Sequence, residues 1–161
     1  MTHPNTEFLT NKIMLEFSKT LELFGLTTLE SRLFAYLYLS KEPLTLDEMS
    51  EALGKSKTSM STSVRSLSEL NLVSRVWKKG IRKDLYQANT QLFKIFMSTY
   101  IKKWIDASNR QKTSLEEIYE SIDVNKDHQE SKEAVQNINH RLYDIIEFHK
   151  DMENLFSNIK L

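Results

Sequence analysis

Apolar residues recur at steps of three and four along most of the chain, and this rhythm predicts helices. Leu9, Ile13, Phe17, Leu21 and Phe24 form the first stripe, with Lys12, Glu16, Lys19 and Glu22 on the other side. Thr6 is placed to cap this helix and Gly25 to close it. A stripe of that size must meet another helix, in the same subunit or across a dimer. Thr27 and Glu30 have the spacing of a capping box, and Leu29, Leu33 and Leu37 follow until Lys41, where Pro43 prevents continuation. Phe34, Tyr36 and Tyr38 cannot all share that Leu face, so at least one tyrosine is expected to line a groove or an interface.

Thr45 and Glu48 make a second capping box, ahead of Leu46, Met49 and Leu53, and Gly54 permits the positive φ that ends the helix. Ser56 is an N-cap for the next helix, whose single stripe is Met60, Val64, Leu67 and Leu70. Steps of about 100° put Thr58, Ser61, Thr62 and Arg65 opposite that stripe, with Ser59 and Ser66 beside it. Helical rhythm then gives way to residues rich in Val, Trp, Leu and Tyr, Leu72 to Lys78 and Lys83 to Ala88, which surround Gly80 as a β-hairpin requires.

Asn89 is expected to cap a long helix with Phe93, Phe96, Met97, Tyr100, Ile101, Trp104 and Ile105 on one broad face. The pattern continues weakly through Leu115, Ile118, Tyr119 and Ile122 to the polar break DVNKDHQE. The last segment is a heptad seam of Val135, Ile138, Leu142, Ile145, His149, Met152, Phe156 and Ile159. Its partner is either a second copy or the helix after Asn89, and His149 reads as a polar residue that fixes register. The chain is therefore expected to be mainly α with one small β-hairpin.

Composition narrows the class. With 161 residues, three Gly and two Pro, there is room for one core and little loop. The absence of cysteine excludes a disulfide scaffold and thiolate metal sites, and suits a reducing cytosol. No apolar run approaches the ~20 residues of a membrane span, and MTHPNTEF lacks the regions of a signal peptide, so a cytoplasmic chain is expected. His3, His128, His140 and His149 lack metal-ligand spacing, and no phosphate loop or nucleophile elbow occurs. Glu116 and Glu117 are adjacent on a helix and diverge, so they cannot flank one scissile bond. No enzyme, metal or cofactor is expected.

Charge then picks out a surface. The whole chain balances 22 cations against 22 anions, but Lys55 to Lys83 carries eight cations against the single anion Glu69, a net +7 that leaves −7 elsewhere. Such asymmetry fits a phosphate-binding face, whereas a generic solvated surface mixes the signs. Small hydroxyls with one Arg also suit a helix in a major groove, since they let the backbone approach the bases and can donate or accept. Thr58, Ser59, Ser61 and Thr62 are the candidates for base edges, and Lys55, Lys57, Arg65, Lys78, Lys79, Arg82 and Lys83 for phosphates and the minor groove. Four cations at the hairpin tip repel one another unless an external anion is present.

The segments ALGKSKTSMS and RSLSELNLV, with Trp77, Lys78, Gly80, Arg82 and Lys83 of the hairpin, resemble the GbsR family of MarR-like repressors of osmoprotectant uptake and synthesis in bacteria. Lys79 and Ile81 stand where the pattern has Pro and Asp, and Asn71 replaces Gly after the second short helix. Asn is the next most tolerant residue for the left-handed position, so that cap should survive. The resemblance implies a winged helix-turn-helix with flanking dimerisation helices, divided as an N-terminal helix (1–27), a DNA-binding domain (28–89) and a C-terminal helical region (90–161). It also implies a homodimeric repressor on an inverted-repeat operator in double-stranded DNA, and a quaternary ammonium effector such as choline or glycine betaine. Aromatic faces attract a cation that has no hydrogen-bond donors, and Tyr36, Trp77, Tyr100 and Trp104 are candidates for such a cage. The rival readings are a winged helix that docks proteins and a constitutive DNA-binding protein without an effector.

Overall fold

The computed structural model describes residues 4–124 and 132–161. In chain order these form α1 (Pro4–Leu23), α2 (Thr28–Leu39), α3 (Leu46–Leu53), α4 (Lys57–Glu69), β1 (Val73–Val76), β2 (Leu85–Ala88), α5 (Leu92–Val124) and α6 (Lys132–Ser157). The chain groups into two compact units, Met1–Phe96 and Met97–Leu161.

In the first unit α2 is the central element. Leu33, Phe34 and Ala35 are all fully buried, and three consecutive buried residues mean that neighbours pack on several sides of the helix. Its capping box is complete: Thr27 N–H donates to Glu30 Oε2 at 2.9 Å, and Glu30 N–H donates to Thr27 Oγ1 at 3.2 Å. Phe34 meets Phe96 edge-on at 5.8 Å, and Tyr38 lies 5.8 Å from Phe17. Tyr36 and Tyr38 are half-buried against this core.

Two expectations for α1 change. The helix begins at Pro4 rather than after Thr6, because proline has no N–H to leave unpaired in a first turn and its φ already suits the helix. Thr6 is inside it, and its carbonyl accepts from the Thr10 hydroxyl at 2.8 Å. Leu21 is buried and Phe17 and Phe24 pack on the core, but Leu9 and Ile13 are exposed with Phe8 and Leu15. Met14 and Ser18 take buried positions instead.

The helix pair α3 and α4 follows the expected local signals. Thr45 and Glu48 bond reciprocally, Gly54 caps α3 at φ 63°, and Ser56 accepts the Ser59 N–H at 3.1 Å. Met49, Met60 and Leu67 are fully buried where the two helices meet the core. At the end of α4, Asn71 adopts φ 59°, and the Leu72 N–H reaches back to the Leu67 carbonyl at 2.9 Å. This is the left-handed cap that the Asn-for-Gly exchange preserves.

The hairpin pairs Val73 with Ala88 and Val76 with Leu85. Both strands are shorter than expected, since the chain leaves the ladder at Trp77 and rejoins it after Asp84. A turn closes the tip, with Ile81 N–H donating to Lys78 O at 3.1 Å and Gly80 at φ 85°, a conformation that suits glycine. Leu44 adds an unforeseen pairing, exchanging bonds of 2.8 and 2.9 Å with Tyr86, which ties the entry to α3 against β2.

Asn89 does not cap α5 directly. Its side chain accepts the Gln91 N–H at 3.2 Å in a turn, and the Gln91 carbonyl takes the first helical bond, from Ile95 at 3.0 Å. The helix then runs unbroken for 33 residues and absorbs the weak pattern of Leu115 to Ile122. Its broad apolar face is not uniformly covered: Phe96, Ile101 and Ser108 are buried, while Phe93 and Trp104 are exposed. The expected break spans 123–130: its first two residues, Asp123 and Val124, still belong to α5, and the rest lies outside the described residues.

In the second unit, α5 partners one side of α6. Trp104 lies 6.0 Å from Phe156 with the ring planes tilted by 49°, and Lys112 pairs with Glu153. Leu142 and Ile146 are buried, whereas Val135, Ile138 and Ile145 of the expected seam are exposed, together with Phe148 and Leu155. Of the expected seam Leu142 is buried, while Ile146, which lies outside that seam, takes the buried position in place of Ile145. His149 bonds within its own helix, Nδ1 lying 2.8 Å from the Ile145 carbonyl.

Candidate nucleic-acid interface

The interface is built from the polar side of α4 and the loop between β1 and β2. Burial of Met60, Ser63, Val64 and Leu67 fixes the rotation of α4 and leaves Thr58, Thr62 and Arg65 exposed, with Ser59, Ser61 and Ser66 half-exposed at the sides. Two of the four hydroxyl candidates are committed inside the helix. Ser59 Oγ lies 2.9 Å from Ser56 Oγ at the cap, and the Thr62 hydroxyl donates to the Thr58 carbonyl at 3.0 Å. Among the described residues, the hydroxyls of Thr58 and Ser61 have no intramolecular partner.

The cations divide in the same way. Lys57 and Lys83 both reach the Asp47 carboxylate, at 3.0 and 2.8 Å, and Lys78 reaches Glu42 at 3.3 Å. Arg75 pairs with Asp84 across the hairpin. Lys55, Arg65, Lys79 and Arg82 have no carboxylate within 4.0 Å among the described residues. The expectation that the tip requires an external anion is thus corrected, because internal carboxylates meet Lys78 and Lys83. A window of sequence missed them: Glu42 and Asp47 precede it, and Asp84 follows it by one residue. Donation from Lys83 and then from Lys57 holds the Asp47 carboxyl below its ordinary value, and Asp47 in turn raises Lys83.

The four candidate cage residues are dispersed. Tyr36 belongs to α2 in the first unit, and Trp77 stands 81% exposed where the chain leaves β1. Tyr100 and Trp104 do meet, at 5.8 Å, in the second unit, where Phe156 adds a third ring. Sequence reading did not connect Phe156 with this pair, although its place in the seam facing the long helix was a usable signal. No group of three or more His, Cys, Asp or Glu among the described residues could hold a metal, and no helix there is long and apolar enough to cross a membrane. His3 and His128 lie outside the described residues.

Comparison with known proteins gives a consistent picture. A family model described as the sugar-specific transcriptional regulator TrmB matches residues 21–90. The chain is 33% identical to the HTH-type transcriptional repressor OpcR of Bacillus subtilis (strain 168), over 60% of this chain and about half (52%) of that protein. It is 34% identical to the HTH-type transcriptional repressor GbsR of the same organism, over 83% of this chain and 73% of the relative. A crystal structure of a transcriptional regulator superposes with a TM-score of 0.59 at 19% identity, covering 92% of this chain and 93% of the other, and so shares the fold. The helix pair, the hairpin wing and a sequence match that extends well beyond them make this chain a transcriptional regulator with a winged-helix DNA-binding fold, a member of the GbsR family.

Proposed function

We propose that the protein is a homodimeric repressor of genes for osmoprotectant uptake or synthesis, which binds an inverted-repeat operator and responds to a quaternary ammonium compound such as choline or glycine betaine. The observation that carries the DNA-binding part is the join of two uncompensated features. Thr58, Ser61 and Arg65 face outward from α4, and Lys79 and Arg82 at the wing lack internal carboxylates among the described residues. The first group suits base edges and adjacent phosphates in a major groove, and the second suits phosphates or the minor groove beside it. Lys55 adds a phosphate contact from the turn before α4, while Lys57, Lys78 and Lys83 reach DNA only by exchanging a carboxylate for a phosphate.

Dimerisation is supported by apolar surface left uncovered in each unit, Phe8, Leu9, Ile13 and Leu15 in the first and Ile138, Ile145, Phe148 and Leu155 in the second. A two-fold dimer would set two α4 helices in successive major grooves, with half-sites about 34 Å apart. The effector reading is supported by the Tyr100, Trp104 and Phe156 rings, with Trp104 left 43% exposed and so open to a cation. GbsR and OpcR are repressors by name, which favours repression here. A gel shift on the protein's own upstream region, with and without choline, tests the whole reading. A salt-sensitive shift that choline releases is expected; a shift indifferent to choline and betaine would leave a constitutive DNA-binding protein, and no shift would overturn the proposal.

A further inference from the structure

The carboxylate of Asp47 stands within the basic surface, beside Lys57, Arg82 and Lys83. It sits in the first turn of α3, on the same side as the start of α4 and the returning arm of the wing, and each of its oxygens takes one lysine: Oδ1 takes Lys57 and Oδ2 takes Lys83. Three separate stretches of chain meet at this one group. The capping box of Thr45 and Glu48 fixes the turn that carries it, and the α3 N-terminus favours a negative charge there. A cleft of about 300 Å³ opens beside it, and Arg82 shares its lining.

Fold stability does not account for this arrangement. The side chains of Asp47, Lys57 and Lys83 remain 45%, 60% and 67% exposed, and ion pairs at such exposure contribute little. Their effect falls on the surface field. Sequence-independent binding scales with the cations free to replace counterions on DNA, so a carboxylate that occupies two lysines weakens attraction to every duplex alike. Contacts to base edges by Thr58 and Ser61 are not weakened in proportion, and specificity is the difference between the two affinities.

We propose that Asp47 is a specificity-determining residue: its carboxylate clasps Lys57 to Lys83, withholds both from indiscriminate phosphate binding, and ties the first turn of α4 to the wing. The inference rests on the DNA-binding reading above.

The test is a salt titration of binding to a mixed-sequence duplex, followed by fluorescence anisotropy, for the full-length wild type, Asp47→Asn, Asp47→Ser and Asp47→Asn/Lys83→Met. Both single variants suit the first turn of a helix, and an unchanged melting transition shows that they fold. They are expected to bind the mixed duplex on the order of tenfold tighter at low salt, with a log–log slope steeper by about one to two units, since each released cation contributes about 0.9. The double variant should give back about one unit. Slopes equal to wild type, or weaker binding by the single variants, would overturn the clasp. Lys79→Ala separates this from the underlying reading, because a flatter slope for that variant upholds the DNA-facing surface whatever Asp47 does. A wild type with no salt-dependent affinity, unaltered by Lys79→Ala, would sink both.

Discussion

The Thr62 hydroxyl donates to the Thr58 carbonyl one turn earlier on α4, at 3.0 Å, while the Thr58 hydroxyl has no intramolecular partner among the described residues. Two threonines on one exposed face are therefore unequal before any DNA arrives. Thr58 can spend its donor on a base or phosphate, whereas Thr62 must first break a bond within its helix. Thr58→Ala is expected to reduce discrimination between the operator region and a scrambled duplex by roughly 1 kcal/mol or more, and Thr62→Ala by less than half of that. Competition anisotropy with the two duplexes measures both, and equal losses would contradict the ranking.

The wing lysines are unequal for a similar reason. Lys79 has no carboxylate within reach among the described residues, and Lys78 has Glu42 at 3.3 Å. Lys79→Ala should flatten the salt dependence of DNA binding by about one unit, and Lys78→Ala by clearly less, because part of its charge is already balanced. Arg65→Ala should weaken operator binding as well, from the α4 side. A salt titration in which Lys78→Ala has the larger effect would show that Glu42 lets go of its lysine in the complex.

The Asp47 pair also makes a statement about pH. Asp47 titrates below its ordinary 3.8 because Lys83 and Lys57 donate to it, so the folded chain binds that proton less tightly than the unfolded chain. Its contribution is present above the unfolded value and is lost as pH falls through the lower folded one. Lys83 titrates above 10.5 for the reciprocal reason, so its contribution is complete below that value and is lost as pH rises through the raised one. Neither group changes charge between these limits. The difference in salt slope between wild type and Asp47→Asn is expected to be the same at about pH 6 and about pH 9, and a difference that drifts would implicate another titrating group.

What could be read in the sequence was whatever a few neighbouring residues decide. The boxes of Thr27 with Glu30 and Thr45 with Glu48, the Ser56 cap and the positive φ of Gly54 are settled within one helical turn, and they came out as expected. The polar side of α4 followed from its apolar stripe by rotation alone. The long-range features did not. Asp47 and Lys83 are 36 residues apart, as are Glu42 and Lys78, and no local spacing announces such a pair. Burial on α1 and α6 depends on which neighbour is present, so periodicity showed that these segments are helical but not that Met14, Ser18 and Ile146 would be buried while Leu9, Ile13 and Ile145 stay exposed.

Asn71 gives that locality an energetic check. It holds φ 59° while Leu72 closes the cap on the Leu67 carbonyl, a conformation that costs a residue with an ordinary side chain about 1 kcal/mol. Asn71→Gly should therefore leave stability within about 0.5 kcal/mol of wild type, and Asn71→Ala should lower it by about 1 kcal/mol. Leu67 sets the scale for comparison: fully buried beneath the same cap, its change to Ala should cost about 2–5 kcal/mol. Urea unfolding of the three variants measures all of this, and an Asn71→Ala protein as stable as wild type would show that the cap carries no strain.

The proposed effector site makes the most exacting demand. Tyr100 and Trp104 lie 5.8 Å apart, and Phe156 stands 6.0 Å from Trp104, so Trp104 has one ring neighbour on α5 and one on α6. A trimethylammonium group has no hydrogen bonds to satisfy and gains from the ring faces, with an attraction of about 0.5–2 kcal/mol for each well-placed ring. Calorimetry with choline and with glycine betaine should therefore detect binding to wild type. Trp104→Ala should weaken it by about tenfold or more, Phe156→Leu by less, and Trp77→Ala, on the wing, should leave it unchanged. If Trp77→Ala abolishes the heat and Trp104→Ala does not, the receptor lies elsewhere; if neither ligand gives heat with wild type, regulation by quaternary ammonium compounds is removed and the constitutive reading takes its place.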